Sequence, residues 1–369
     1  MSKKWQNMSN VPKLRFKDFS GEWEESKLKE YCFNISSGKS KNIEGGEYYL
    51  YGSTGIIGNT DKFTHNGTYI LIARVGANAG LTNLIKGKFG VTDNTLILDL
   101  DKEKSNISFI LSLLHKYNLN RLIFGSGQPL ITGGQLKSLK LYFPQKQEQE
   151  KIASFLNQVD TKIEQLTKKE KLLQQYKKGV MQKIFNQEIR FVSDDGSEFC
   201  EWEEKRLKEV LDYEQPTKYI VESTEYNGNY NTPVLTAGKT FILGYTNEEN
   251  GIYTNSPVII FDDFTTANHY VDFDFKVKSS AMKLLKEKNE NICLKFVYEF
   301  IQKLHFPIGE HKRYWISEYS YLKIKLPCLE EQNKIANFLS SIDTKIEQTQ
   351  KQLEKTKEFK KALLQQMFV

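Results

Sequence analysis

The sequence contains one unit twice, and this duplication restricts the possible fold more than any other feature. Residues 23–30, Trp-Glu-Glu-Ser-Lys-Leu-Lys-Glu, recur as residues 202–209, Trp-Glu-Glu-Lys-Arg-Leu-Lys-Glu. Residues 151–165 recur as residues 334–348, and both copies end in Asp-Thr-Lys-Ile-Glu-Gln. The copies lie about 180 residues apart, far more than the period of a solenoid. Each unit is therefore predicted to be a globular domain followed by an additional segment.

The additional segment is predicted to be a long helix. Its apolar residues recur at alternating steps of three and four residues, which is the spacing of a coiled-coil seam. The seam residues are Ile152, Leu156, Val159, Ile163, Leu166, Leu173, Ile335, Leu339, Ile342, Ile346, Leu353 and Leu363. A helix of about 40 residues is about 60 Å long, longer than a small domain is wide. The two helices are therefore predicted to pack on each other; the alternative is that each packs on its own domain.

The remainder of each unit is predicted to be a mixed domain with short strands and glycine-rich loops. The strand-like run Ile70–Ala73 aligns with Val258–Phe261, whereas the next residues, Arg74–Asn78 and Asp262–Thr266, differ. A shared scaffold with different loops is typical of two domains that bind different ligands. The predicted fold class is α/β (α+β), a twofold tandem repeat in which two globular domains are separated by two long helices forming an antiparallel coiled coil.

The antiparallel arrangement is predicted from the ends of the chain. Leu-Arg-Phe at residues 14–16 matches Ile-Arg-Phe at residues 189–191, just after the first helix, and the chain ends where the second helix ends. The N-terminal segment is therefore predicted to close a ring with pseudo-twofold symmetry. The predicted parts are the N-terminal segment 1–20, the first domain 21–143, the central helix 144–186, the second domain 187–326 and the C-terminal helix 327–369.

Composition and the absence of several motifs restrict the classes of function that are possible. The net charge of +6 permits nucleic-acid binding without requiring it. The four Cys residues are far apart, and neither a signal peptide nor an apolar run long enough to cross a membrane is present, which predicts a cytoplasmic protein. A phosphate-binding Gly-x-x-x-x-Gly-Lys-Ser/Thr loop is missing and the His residues are scattered. We therefore expect this chain to bind no metal and no cofactor.

Loops at equivalent places in the two units carry polar and basic residues that can bind phosphates or base edges. Each such loop is by itself more typical of an ordinary surface loop. The predicted DNA-binding residues are Arg74, Asn78, Ser126, Gln128 and Thr132 in the first unit, and Lys239, Thr240, Thr266, Asn268, Lys312, Arg313 and Tyr314 in the second.

Two alternative functions belong to other classes. Asp263, Asp274 and Lys276 have the order of the metal-binding carboxylates and lysine of a Mg²⁺-dependent endonuclease. Residues 271–277 alternate apolar and charged residues as a half-exposed strand does, and the other unit has Lys88 and Gly90 at the equivalent positions. The second alternative to DNA recognition is a coiled-coil interaction protein whose domains bind protein or sugar.

The doubled helix motif resembles that of a known family. Pro144 is followed by Glu-Gln-Glu-Lys-Ile-Ala-Ser-Phe-Leu at residues 148–156, and Pro327 by Glu-Gln-Asn-Lys-Ile-Ala-Asn-Phe-Leu at residues 331–339. Over essentially the whole chain, this pattern resembles the specificity subunits of type I restriction–modification systems.

The resemblance implies a subunit that performs no catalysis. Each globular domain would be a target recognition domain that reads one half of a split, asymmetric site in double-stranded DNA. The coiled coil would set the spacer and dock two methyltransferase subunits, and two restriction or motor subunits would join them. S-adenosylmethionine, ATP and Mg²⁺ are then expected on these partners.

Overall fold

The structure, a computed structural model, divides the chain into two compact units. The described residues are 10–123, 129–238, 240–304, 306 and 313–369. Unit 1 comprises Met1–Lys168 and Gln350–Val369, and unit 2 comprises Lys169–Thr349. The division falls inside two long helices, so each unit contains a globular domain together with part of both helices.

The helices and strands are numbered separately in chain order. The α-helices are α1 (Ile107–Tyr117), α2 (Gly133–Ser138), α3 (Lys146–Phe185), α4 (Leu207–Val210), α5 (Leu294–Lys303), α6 (Tyr314–Ser317) and α7 (Leu329–Gln366). The strands of unit 1 are β1 (Glu24–Lys27), β2 (Cys32–Ser37), β3 (Tyr48–Gly52), β4 (Gly55–Thr60), β5 (His65–Ala73), β6 (Thr82–Val91), β7 (Thr95–Leu100) and β8 (Lys140–Phe143). Those of unit 2 are β9 (Glu203–Arg206), β10 (Leu211–Glu214), β11 (Thr232–Leu235), β12 (Ile242–Thr246), β13 (Val258–Asp262), β14 (Asn268–Val271), β15 (Lys276–Val277), β16 (Met282–Glu287) and β17 (Lys323–Leu326). Short 3-10 helices cover Leu28–Tyr31, Leu119–Leu122, Pro216–Tyr219 and Tyr319–Tyr321.

The two globular domains have the same strand order, which confirms the tandem repeat. Unit 1 has a six-stranded sheet in the order β2-β7-β5-β6-β3-β4. Unit 2 has β10-β16-β13-β14 and, separately, β12-β11-β15, because the counterpart of the long strand β6 is divided into β14 and β15. In each unit the first strand also pairs with the last, β1 with β8 and β9 with β17. This pairing brings the two ends of each domain together.

The strand pairing corrects the alignment of the two units by one residue. Ile70 pairs with Leu98, whereas Ile259 pairs with the equivalent Leu285. Ile70 therefore corresponds to Ile259 and not to Val258, as the sequence alignment predicted. Since alternate residues of a strand face opposite sides of the sheet, a shift of one residue exchanges the two faces.

The two long helices pack on each other within each unit and run in opposite directions there. In unit 1, Phe16 contacts Phe155 while Leu14 N–H donates to Gln366 O, and Asp160 pairs with Lys360 at 2.5 Å. In unit 2, Lys177 of α3 pairs with Asp343 of α7 at 2.7 Å. The predicted seam residues are buried except Ile163 and Leu173, which are half-buried.

The long helices also pack on the domains, which was the alternative arrangement. Ile152 and Leu156 share one core with Trp23 and Phe109 of the domain and with Leu363 of the second helix. In unit 2, Ile335 and Leu339 share a core with Trp202, Phe296 and Ile184 in the same way. The apolar stripe is therefore wide enough for both partners, as expected of a helix that contributes to a globular core.

The Glu-Gln pair of each helix motif fixes the start of the helix to its domain. In unit 1, the carboxylate of Glu148 accepts hydrogen bonds from Arg15 Nε and Nη2 at 2.8 and 2.7 Å and from Trp23 Nε1 at 3.3 Å. Gln149 Oε1 accepts from Asn106 N–H, which precedes α1, and its Nε2 donates to Pro144 O. We call this set of contacts the Glu-Gln clamp.

Unit 2 contains the same clamp. Glu331, which is fully buried, accepts from Arg190 Nη2 and from Trp202 Nε1, both at 3.0 Å. Gln332 Oε1 accepts from Cys293 N–H at 2.8 Å, and its Nε2 donates to Pro327 O. Glu331 holds the pKa of the Arg190 guanidinium above its usual range. The Trp, Arg, Glu and Gln residues repeated in the sequence therefore form the joint between domain and helix.

Candidate nucleic-acid interface

In unit 1, the loop that follows β5 is held against two other loops. Arg74 N–H donates to Asn94 O in the β6–β7 turn, and Arg74 O accepts from Ile131 N–H. Its Nη1 donates to Asp93 O at 3.3 Å, whereas its buried Nε has no hydrogen-bond partner among the described residues. A buried donor without a partner is uncommon and costs free energy. Arg74 therefore combines a fixed backbone with a guanidinium that retains donor capacity.

The other predicted residues of unit 1 that the structure describes lie beside Arg74. Asn78 is half-buried in a turn between Gly76 and Gly80, both of which have positive φ, and its carbonyl accepts from Leu81 N–H. Thr132 follows Ile131 and caps α2, where its Oγ1 accepts from Gln135 N–H. The Thr132 hydroxyl is occupied by this cap, so we leave it out of the proposed DNA contacts.

The same loop arrangement occurs in unit 2 with different side chains. Asp263 N–H donates to Ala281 O, and Asp263 O accepts from Tyr314 N–H at 2.8 Å. These bonds correspond to those of Arg74, so Asp263, and not Asp262, occupies the position of Arg74. The carboxylate of Asp263 is buried, accepts from Trp315 N–H at 2.9 Å and lies 3.6 Å from Lys283 Nζ. The two domains therefore differ at one backbone position: Arg74 keeps a donor without a partner, whereas the Asp263 carboxylate is buried and bound.

The described candidate residues of unit 2 lie in three segments of the chain. Thr266 has a φ of 55°, in the left-handed region, and its carbonyl accepts from Asn268 Nδ2. Arg313 is exposed next to the anchored Tyr314. Thr240 is exposed in the β11–β12 hairpin, and its carbonyl accepts from Thr236 Oγ1.

One of the predicted side chains is buried, and four lie outside the described residues. Tyr314 is only 1 % exposed and packs against Phe306, so we leave its ring out of the proposed DNA contacts. The predicted residues outside the described part of the chain are Ser126, Gln128, Lys239 and Lys312.

Sequence reasoning selected Thr240 in the hairpin of unit 2 but no residue of the equivalent β3–β4 hairpin in unit 1. In unit 1, Ser53 Oγ in the β3–β4 turn donates to Asn94 O at 2.7 Å, the same carbonyl that Arg74 N–H binds. In unit 2, Phe241 stacks on His269, next to Asn268, with ring centroids 4.2 Å apart. Burial lowers the pKa of His269, which favours the uncharged ring. The available signal was the Gly-x-Thr pattern shared by the two hairpins.

The three residues that could form an endonuclease site do not come together around a metal site. Lys276 is buried, pairs with Glu248 at 2.6 Å and donates to Asn250 O. Asp263 is bound to Trp315 and Lys283 as described above, while Asp274 is exposed. Within the described residues, no group of three His, Cys, Asp or Glu could hold a metal ion. Asp263 and Lys276 are therefore bound within unit 2 by different partners, and Asp274 lies apart from them on the surface.

Comparison with known proteins identifies the family. The model for the type I restriction modification DNA specificity domain matches the chain twice, at residues 20–174 and 200–357. The chain belongs to this family. Its members named in these comparisons are specificity subunits, the non-catalytic parts of type I restriction enzymes that recognise the DNA sequence.

The relatives differ in how much of the chain they share. The specificity subunit of the type I restriction enzyme EcoR124I/EcoR124II from Escherichia coli is 55% identical over 141 residues, which are 37% of this chain and 35% of that protein. The MjaVIII specificity subunit from Methanocaldococcus jannaschii is 26% identical over an alignment that covers 95% of this chain and 94% of that protein. The crystal structure of an S subunit from M. genitalium matches with a TM-score of 0.73 at 19% identity, over 97% of this chain and 99% of that one. This last similarity shows the fold.

Proposed function

We propose that each globular domain of this specificity subunit reads one half of a split DNA site. The observation that carries the proposal is the pair of equivalent loops. Arg74 and Asp263 occupy one backbone position with the same pattern of main-chain hydrogen bonds, yet Arg74 keeps a donor without a partner, whereas the Asp263 carboxylate is buried and bound to Trp315 and Lys283. A guanidinium can donate two hydrogen bonds to guanine, whereas a buried and already bound carboxylate offers no group to a base. Two domains with one scaffold and unlike loops fit two unlike half-sites.

The partners follow from the family. We propose that the chain acts in the cytoplasm with two methyltransferase subunits and two restriction or motor subunits, and that the long helices set the distance between the half-sites. The chain itself would bind no cofactor, because S-adenosylmethionine, ATP and Mg²⁺ would bind to these partners. Among the described helices, none is long and apolar enough to cross a membrane.

The proposal is tested by expressing the chain with its methyltransferase subunit and mapping methylated bases across the host genome. The expected motif has two unlike halves with a fixed gap of unspecified bases. The control is the methyltransferase expressed without the chain, which should leave the motif unmethylated. A continuous palindrome, or methylation that does not depend on the chain, would contradict the proposal.

A groove that occurs once in each unit supports the docking of two identical subunits. In unit 2 the groove has a volume of about 1310 Å³ and lies between the long helices and the domain. In unit 1 it has a volume of about 610 Å³ and is lined by α3 and Asn106. Residues of the helix motif line both grooves at equivalent positions. The pairs are Glu150 and Asn333, Ala153 and Ala336, Ser154 and Asn337, Asn157 and Ser340, and Thr161 and Thr344. A site present twice on the repeated scaffold fits a partner present in two copies.

Filling one groove is expected to remove one methyltransferase copy. Asn157→Trp in unit 1 or Ser340→Trp in unit 2 adds a large side chain where a partner would pack. Native mass spectrometry should show complexes with a single methyltransferase subunit for each variant and none for the double variant. Thr167→Trp, at an exposed position of α3 that lines neither groove, is the control and should leave two copies bound. Two bound copies in the double variant would place the docking site elsewhere.

A further inference from the structure

Each globular domain exposes a pair of neighbouring aliphatic side chains at the end of one hairpin. Ile56 and Ile57 of β4 are 53% and 44% exposed, and Ile242 and Leu243 of β12 are 39% and 38% exposed. Both pairs stand at the start of the outer strand of equivalent hairpins, β3–β4 and β11–β12. The units differ in the residue at the position of Arg74 and Asp263 but share this apolar pair.

The exposed pairs lie at an irregularity of their hairpins. In both hairpins the register shifts at the exposed pair: Leu50 pairs with Gly58 and Tyr51 with Ile56, so Ile57 is the extra residue of a β-bulge, as Leu243 is in unit 2. Neither side chain of either pair is covered by the described residues of its unit. In unit 1 the last pair before the Ser53–Thr54 turn is Gly52 with Gly55, and β4 is the outermost strand of the sheet. In unit 2, β12 is likewise an outermost strand. Each hairpin end is therefore a two-stranded ribbon with an apolar tip.

The apolar tips are continuous with the proposed DNA-reading loops. In unit 1, Ser53 and Arg74 bind the same carbonyl, that of Asn94. In unit 2, Phe241, which immediately precedes the exposed pair, stacks on His269 next to Asn268. A surface beside the loops that read the DNA is in position to meet the DNA itself.

We propose that each hairpin end enters the major groove of its own half-site and that its aliphatic pair packs against base edges there. This proposal rests on the proposed DNA-reading function. The major groove of B-DNA is wide enough for a two-stranded ribbon, and apolar side chains in it contact the methyl group of thymine. The pair thus contributes to the affinity for the site without binding phosphates.

The test measures DNA binding by the complex of this chain with its methyltransferase subunit, on a duplex carrying the mapped methylation motif. Ile56→Ser with Ile57→Ser is expected to weaken binding about tenfold. Because phosphate contacts set the slope of log affinity against log salt concentration, that slope is expected to stay unchanged. Ile56→Val with Ile57→Val keeps the apolar surface and should bind like the wild type.

The second unit and the opposite edge of the sheet provide the controls. Ile242→Ser with Leu243→Ser should weaken binding equally, and each double variant should relax base discrimination only in its own half-site. Phe33→Ser removes an apolar side chain, 70% exposed, from β2 at the other edge of the unit 1 sheet and should change nothing. Thermal melting of each variant confirms that the fold is retained.

The outcomes separate this proposal from the function on which it rests. If the wild-type complex recognises a split site but the serine variants bind with full affinity, the hairpin proposal alone fails. A smaller salt slope in the variants would indicate a phosphate contact and would also overturn it. Loss of methyltransferase binding without DNA would mean that the pairs face the partner subunit. If the wild type recognises no split site, the proposed function itself fails.

Discussion

Duplication of residues 162–168 and of the equivalent residues 345–351 is expected to lengthen the gap between the two half-sites by about three base pairs. Each duplication adds one heptad, which continues the apolar seam in both long helices. Seven helical residues add about 10 Å, and B-DNA rises about 3.4 Å per base pair. Genome-wide mapping of methylated bases should find both half-sites unchanged in sequence and farther apart.

Two variants make this result interpretable. Duplicating residues 162–168 alone lengthens one helix only and should misalign the pairing of the helices, so that methylation falls strongly at every site. Replacing the same segment with a different heptad of equal length should leave the gap at its original value. An unchanged gap in the double duplication would refute the role of the helices as a spacer.

Glu331→Ala is expected to destabilise unit 2 by about 3 kcal/mol. The carboxylate is fully buried and accepts bonds from Arg190 and Trp202. Its loss removes the acceptor of Trp202 Nε1–H and the buried ion-pair partner of Arg190, which keeps its bonds to Phe199 O and Cys200 O. Breaking a buried ion pair costs about 3–5 kcal/mol, and the lower value applies because Arg190 remains partly exposed. For a unit of this size, the melting temperature should fall by about 6–12 °C, measured by calorimetry.

The chain provides matched controls for this substitution. Glu330→Ala removes the neighbouring carboxylate, which is exposed and lies 3.7 Å from Lys334 Nζ; exposed pairs contribute at most about 1 kcal/mol, so little change is expected. Glu148→Ala should destabilise unit 1 instead, because Glu148 accepts from Arg15 and Trp23 in the same way. Equal melting of the Glu330 and Glu331 variants would mean that the clamp does not stabilise the joint.

Features that repeat along the chain could be predicted from the sequence. The duplication itself, the two long helices and their seam follow from residue identity and spacing, and the helices at Lys146–Phe185 and Leu329–Gln366 lie within the predicted ranges. The spacing of apolar residues is informative there because a helix repeats every 3.6 residues, so residues close together in the sequence form its buried stripe. The predicted domain limits, the base-reading residues and the spacer remain predictions.

The alignment of the two domains was less accurate because their strands are short. Several apolar residues in succession, as at residues 70–73 and 258–261, fit two registers equally well. The hydrogen bonds to β7 and β16 select one of them and move the counterpart of Arg74 from Asp262 to Asp263. Strand register depends on distant partners, and local sequence does not specify these when both faces of the strand are apolar.

The sequence by itself determined that this protein is a tandem repeat of one domain and one long helix. Trp, Arg, Glu and Gln recur at equivalent positions of the two repeats. Only the tertiary structure decided what these repeated residues do and which loop residues meet. Glu148 and Glu331 look like ordinary helix-surface acids until Arg15 and Arg190, more than 130 residues away in sequence, are placed against them. The exposure of Ile56 and Ile57 has the same origin. An aliphatic pair is buried or exposed according to what folds over it, and that depends on contacts between distant parts of the chain.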